Sequence, residues 1–172
     1  MTTRYCWLLI FTLLAEVAYA QAPLQNATTE ELLEKLTPAS QQKTRSLGRN
    51  MVVDGQPSKT KTAVDLVIQF DFGSAQLLDA SKPLLDSLAK AMNANALANF
   101  TFNVEGHTDS VGSASFNQQL SDQRATAVVN YLVARGVTKN RLVGVGKGSA
   151  DPLTTSKPDS PENRRVRIIV NS

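Results

Sequence analysis

The sequence predicts an α/β (α+β) domain, a mixed sheet with helices packed on it, in the order β-α-β-α-β-loop-β. Three observations lead there. Four short stretches rich in apolar, β-prone residues, Ala63–Phe70, Phe100–Glu105, Leu142–Val145 and Val166–Val170, read as strands. Between them lie two segments of helical periodicity, around Leu84–Met92 and Ser115–Ala134. Helices that alternate with strands bury their apolar stripe by packing over the sheet.

Each element has its own justification. In the first strand Val64, Leu66, Ile68 and Phe70 share one face, and a turn follows over Asp71–Ser74. Leu84, Leu85, Leu88 and Met92 recur at helical spacing, and Pro83 is tolerated because a first-turn N–H has no intrahelical acceptor. Phe100, Phe102 and Val104 alternate in the second strand. A loop, Gly106–Gly112, leads into the second helix, whose expected inner face holds Phe116, Leu120, Ala127, Val128 and Tyr131. Gly136 stops it. Leu142–Val145 is a short third strand. Lys147–Asn163, rich in Pro, Ser and Asp, reads as a loop with room for a helical turn, and Val166–Val170 closes the domain. Right-handed crossovers would put the first helical connections on one face of the sheet.

Composition bounds the function. A chain of 172 residues holds one ordinary domain with appendages, and 42% hydrophobic with 19% charged residues is a globular balance. A formal charge of +3 and 6% aromatic residues do not describe an electrostatically driven nucleic-acid binder. The excess of Lys and Arg reads as a solvated surface.

The first twenty residues have the three parts of a secretory signal: Arg4, the apolar run Tyr5–Leu14, and Ala18-Tyr19-Ala20 before Gln21. The apolar run falls short of the ~20 residues that span a bilayer, although a retained anchor is the rival reading. Cleavage after Ala20 removes the only cysteine, Cys6. The mature chain then carries no disulfide, no acyl group on cysteine and no transmembrane segment, which suits a bacterial periplasm. Residues 21–61 read as a polar tether with one short helix, where Thr28 caps, Glu31 closes the capping box and Pro38 stops. Leu32, Leu33 and Leu36 on that helix belong either to a frayed turn or to a dock for an envelope protein partner.

The chemistry concentrates in Val104-Glu105-Gly106-His107-Thr108-Asp109-Ser110-Val111-Gly112 and the helix after it. Asp109 leaves a strand, and Arg124 stands fifteen residues on, within the helix. Loop and helix can fold the two toward one groove. A carboxylate accepts from an ammonium group, and a guanidinium fork grips a carboxylate with two parallel bonds, so the pair suits an amino-acid centre with both charges free. The alternative is an Asp–Arg salt bridge that pins loop to helix. His107, Asp109 and Ser110 invite a hydrolase reading, but triad members meet through the fold rather than as sequence neighbours. One histidine and no cysteine after cleavage do not supply the three or four ligands of a zinc site. His107 reads as a brace for the loop, the protein as a non-enzyme, and no cofactor is called for.

From Thr62 to the end, the chain resembles the OmpA-like carboxy-terminal domain family. The resemblance rests on Ile68-Gln69-Phe70-Asp71-Phe72-Gly73-Ser74-Ala75, Glu105-Gly106-His107-Thr108-Asp109, Asn117, Leu120-Ser121, Arg124-Ala125, Leu132, Gly136-Val137 and Asn163-Arg164-Arg165-Val166, in order and at the family's spacing. It implies non-covalent binding of peptidoglycan, with Asp109 and Arg124 holding the ammonium and carboxylate of diaminopimelate in the stem peptide. Thr108 and Asn117 match groove-lining positions, Asp71 is a further candidate, and of the pair Arg164 and Arg165 one borders the ligand, Arg165 being carried forward as the candidate. The resemblance implies a periplasmic, cell-wall-associated protein, with the outer membrane as a further location. The usual attachments are missing: residues 21–61 are too few for a β-barrel, and neither a lipidated cysteine nor a membrane helix follows the signal. The alternative function is a periplasmic protein-interaction module with no cell-wall ligand.

Overall fold

A computed structural model describes residues 23–38 and 62–171. The signal-like segment and the 39–61 part of the tether lie outside the described residues. The elements are α1 (Thr29–Leu36), β1 (Ala63–Leu66), α2 (Lys82–Met92), β2 (Thr101–His107), α3 (Ala114–Ala134), β3 (Leu142–Gly148) and β4 (Val166–Asn171), with short 3₁₀ turns between some of them. The sheet runs β1-β4-β2-β3. Strands β2 and β3 are parallel and joined through α3, while β4 pairs antiparallel with both β1 and β2. The expected class and element order hold. The insertion of the last strand between the first and second is a tertiary result.

β1 is shorter than expected. Its ladder ends at Leu66, opposite Val166, where β4 begins. Beyond that point Val67 N–H donates to the Leu24 carbonyl and Gln69 N–H to Ser81 Oγ. The chain therefore leaves the sheet toward Phe70, which pairs only with Leu77.

The core lies between one sheet face and the helices. Val64, Leu66, Phe102, Val104, Val166, Ile168 and Val170 face Leu84, Leu85, Leu88, Met92, Val128, Val129 and Leu132. α3 ends in a Schellman arrangement: Val137 N–H donates to Leu132 O and Gly136 N–H to Val133 O, with Gly136 at φ +91°.

Two expectations need correction. Residues 23–38 are not part of a loose tether. Thr28 caps α1 as anticipated, donor Glu31 N–H reaching Thr28 Oγ1 at 3.2 Å, but Leu32 and Leu36 are fully buried in the core. Leu24 also pairs with Leu66 along the outer edge of β1, which an exposed strand would otherwise leave open. Three leucines on a two-turn helix bury their face because α2 and β1 stand ready to receive it. Leu32→Ala is expected to destabilise the domain by about 2–5 kcal/mol in urea unfolding. A midpoint equal to wild type would return this segment to the tether.

The inner face of α3 is also rotated from the expected one. Asn117, Leu120, Ser121, Ala125, Val128, Val129 and Leu132 are buried, whereas Phe116 is exposed. The physical cause is backbone contact. A Cβ on Gly106 would collide with the Ser121 carbonyl, and one on Gly146 with the backbone of Asp122. Glycines at these positions let the polar first half of α3 lie directly on β2 and β3. There Asp122 Oδ1 accepts from Gly146 N–H at 2.6 Å and Ser121 Oγ from Gly148 N–H at 2.8 Å. The buried stripe is thus half polar, and apolar periodicity alone misplaces it.

Candidate functional site

The C-terminal ends of β1, β2 and β3 and the start of β4 meet at one edge of the sheet, and their loops gather there. Thr108 N–H donates to the Gly148 carbonyl at 2.9 Å and His107 N–H to the Arg165 carbonyl at 2.9 Å. Ser110 N–H reaches the Pro158 carbonyl at 3.0 Å, joining the β2–α3 loop to the long loop before β4. That long loop folds about Asn163, which is fully buried. Its Oδ1 accepts from Leu153 N–H at 2.8 Å and its Nδ2 donates to the Lys157 and Pro158 carbonyls at 3.0 Å each.

Asp109 and Arg124 reach this edge but do not pair with each other. Asp109 Oδ2 accepts from Arg164 Nη1 at 2.8 Å, and Oδ1 accepts from Val111 N–H at 3.2 Å. Asn117 holds the loop in place, its Nδ2 donating to the Asp109 carbonyl at 3.2 Å and the Val111 carbonyl at 3.0 Å. Arg124 Nε donates to the Ser74 carbonyl at 3.0 Å, and its guanidinium lies over the Phe70 ring, 4.8 Å from the centroid. Among the described residues its two terminal nitrogens have no hydrogen-bond partner. Burial lowers the Arg124 pKa, the Arg164 charge adds to that, and Asp109 opposes it. Asp109, Arg124 and Arg164 therefore share one electrostatic neighbourhood with two cations and one anion.

A half-buried guanidinium without an anionic partner is costly, and a carboxylate placed on its free fork would offset that cost. Asp109 uses one bond on each oxygen, and a carboxylate offers about four acceptor sites, so an ammonium group can still be accommodated. The pinning salt bridge between Asp109 and Arg124 is not what the fold builds.

The other expected site residues divide. Thr108 is buried beside Asp109, and its Oγ1 has no hydrogen-bond partner among the described residues. Asp71 stands on the turn that carries Ser74, its carbonyl accepting from Ser74 N–H at 3.1 Å, so it lies on the loop that positions Arg124. Arg165 is a correction. Its side chain is buried on the sheet face away from the helices, where Nε donates to Asp65 Oδ1 at 2.9 Å and an Nη to the Asp151 carbonyl at 3.2 Å. Arg164 is the member of the pair that reaches Asp109. Strand alternation carried the signal: Val166, Ile168 and Val170 face the helices, and Arg164 shares their parity while Arg165 does not. Phe70 and Ser74, which hold Arg124, and Asn163, about which the loop before Arg164 folds, were read in the sequence only as strand, turn and motif residues.

His107 lies in the same buried layer as Arg165, among the charges of Asp151, Arg167 and Asp65, whereas Ser110 is exposed. Its pKa is pushed down to about 4, first by burial and then by the Arg165 charge. The folded state keeps it neutral, whereas the unfolded chain protonates it near its ordinary 6.5. Between these values the unfolded state binds more protons. Stability from this group is thus complete above pH 6.5 and falls as pH drops toward 4, by about 3 kcal/mol in all. Urea unfolding of wild type and His107→Gln across that window should show a shallower pH dependence in the variant. Equal slopes would contradict it.

Fold and site together define an α/β module with a cluster of charged loop residues at one end of its sheet. The family model described as the OmpA family matches residues 69–167, and the chain belongs to that family. The family comprises binding modules rather than enzymes. Outer membrane protein A of Bordetella avium is 35% identical over 66% of this chain and 59% of its own. The peptidoglycan-binding protein ArfA of Mycobacterium bovis is 41% identical over 60% of this chain and 32% of its own. The chain thus matches about a third to three fifths of the length of these relatives. Among solved structures, the peptidoglycan-associated lipoprotein of Burkholderia pseudomallei aligns with a TM-score of 0.51 and 25% identity, over 60% of this chain and 88% of that one. The periplasmic domain of Helicobacter pylori MotB aligns at 0.56 with 23% identity, over 67% and 78%, a likeness of fold.

Proposed function

We propose that this protein binds peptidoglycan non-covalently in the periplasm, by holding a diaminopimelate residue whose second centre keeps both its ammonium and its carboxylate. The observation that carries this reading is the half-buried Arg124 fork, free of any described anion, in the electrostatic field of Asp109 and Arg164. Asp109 takes the ammonium, Arg124 takes the carboxylate, and Arg164 orients Asp109 while adding positive potential to the carboxylate side. Asn117 keeps the loop in shape, and Thr108 and Asp71 border the groove. A relative named as a peptidoglycan-binding protein and another named as an outer membrane protein support a place at the cell wall within the envelope.

No covalent step is involved. Recognition is by charge at fixed positions, and one residue-sized ligand gives modest affinity per site. The polymer supplies many stems for rebinding. Residues 21–61 remain the proposed route to an envelope partner, with Leu32 and Leu36 no longer available for it.

Ligand choice tests the reading. Lysine in the same stem position offers an ammonium but no carboxylate, so Arg124 stays unpaired, and a site built for a polar group rejects an analogue lacking it. Amidation of the free carboxylate acts the same way. Titration calorimetry with matched stem peptides should give clear preference for unamidated diaminopimelate. Equal affinity for the lysine peptide would show that Arg124 does not read a carboxylate.

A further inference from the structure

From residue 149 to residue 162 no residue is buried, so apolar packing does not hold the loop before β4 in shape. Hydrogen bonds do. Arg165 fixes its first part through the Asp151 carbonyl, and the rest gathers about one buried amide, Asn163. An amide side chain has two N–H donors and an oxygen with two lone pairs, and Asn163 uses them all. Oδ1 accepts from Leu153 N–H at 2.8 Å and from Thr154 N–H at 3.4 Å, while Nδ2 donates to the Lys157 and Pro158 carbonyls. Its backbone N–H donates to the Ser160 carbonyl, and its own carbonyl accepts from Arg165 N–H.

Two routes lead from this amide to Asp109. The Pro158 carbonyl accepts from Asn163 Nδ2 and from Ser110 N–H, both at 3.0 Å, so a single oxygen ties the residue after Asp109 to the Asn163 side chain. Along the chain, Arg164 follows Asn163, and its Nη1 donates to Asp109 Oδ2 at 2.8 Å. The Arg164 side chain is half-exposed, so a fixed backbone at its root restricts where the guanidinium can reach. One route thus acts on the backbone beside Asp109 and the other on its carboxylate. Every hydrogen bond of Asn163 among the described residues stays within this loop and Arg165, outside the apolar core.

We propose that Asn163 is a positioning residue for ligand binding: it touches no ligand, and it sets Asp109 for the ammonium group through the Pro158 carbonyl and through Arg164. This rests on the proposed function. The run Asn163-Arg164-Arg165 then divides three tasks among neighbours. Asn163 shapes the loop, Arg164 meets Asp109, and Arg165 is anchored to Asp65.

The test uses Asn163→Asp in the full chain. The change keeps the size of the side chain but turns the two N–H donors into an oxygen facing the Lys157 and Pro158 carbonyls, which releases Pro158 and with it Ser110. Titration calorimetry with an unamidated diaminopimelate stem peptide should show affinity reduced about tenfold, the effect of about one hydrogen bond. In an Asp109→Asn background the same change should cost less than about twofold, because the group it positions is already gone. Amide exchange followed by NMR should speed up about tenfold at Ser110, with the amides of Phe102, Val104 and Ile168 unchanged, since local opening leaves core amides protected. A merely structural residue would speed core amides as well and would weaken the peptide by one factor in both backgrounds. Asn163→Ser repeats the cycle should the aspartate variant fail to fold. If wild type binds the peptide and the loss is the same with Asp or Asn at position 109, or absent, this inference is overturned and the proposed function stands. If wild type does not bind the peptide, both fall.

Discussion

Arg124→Ala and Asp109→Ala are each expected to lose sacculus binding while the domain remains folded. Arg124 makes few internal commitments, one bond to the Ser74 carbonyl and a face on Phe70. Its removal should therefore leave the core intact and take away the group proposed to receive the carboxylate. Asp109→Ala removes the proposed ammonium acceptor and leaves the Arg124 and Arg164 charges without the anion that offsets them. Loss of one partner from a desolvated, hydrogen-bonded charge pair costs about 2–5 kcal/mol, equivalent to roughly thirty- to several-thousand-fold in affinity. Arg124→Lys should recover little, because a single ammonium cannot replace the planar fork. Co-sedimentation with purified sacculi reads the effect, with circular dichroism as the folding control. Variants that stay folded and sediment like wild type would leave the groove without a ligand role.

The largest effect on stability is expected from Asp65→Ala. Asp65 Oδ1 accepts from Arg165 Nε and from Arg167 Nε at 2.9 Å, and Oδ2 accepts from an Arg167 Nη at 3.0 Å. Arg165 is 2% exposed and already has one terminal nitrogen without a partner. Without Asp65 its charge is buried with only the Asp151 carbonyl in reach. Breaking a buried pair from one side costs about 3–5 kcal/mol, enough to lower the melting temperature by about 10 °C or more. The double variant Asp65→Ala, Arg165→Met should regain much of this, because it removes the uncompensated charge as well. Calorimetry of the three proteins decides it. A single variant that melts with wild type would mean that solvent reaches Arg165 freely. The same network separates the two neighbouring arginines: Arg165 is committed to Asp65, Arg164 to Asp109.

Individual residues show which features were legible in the sequence alone. The strands and helices were, because Val64-Leu66, Phe102-Val104 and Leu84-Leu88-Met92 carry their periodicity openly. Pro83 and Gly136 mark a helix start and stop by chain chemistry that needs no neighbour. Asp109 and Arg124 were singled out by charge type and spacing, and the family resemblance is confirmed over residues 69–167.

Other features depended on contacts between segments far apart in sequence. Phe116 fell on the wrong side of α3 because the helix face is set by Gly106 and Gly146 beneath it, not by the helix's own apolar residues. Leu32 and Leu36 look like a small frayed stripe until α2 and β1 are placed beside them. Arg165 could not be told from Arg164 by residue type, and one step along the chain carried it to Asp65 on the opposite face of the sheet. The elements, their class and the charged residues available follow from local periodicity and side-chain chemistry. The entry of β4 between β1 and β2, the pairing of Asp109 with Arg164 and the open fork of Arg124 do not follow from local pattern. Those outcomes depend on which groups long-range strand pairing and close helix approach bring within bonding distance.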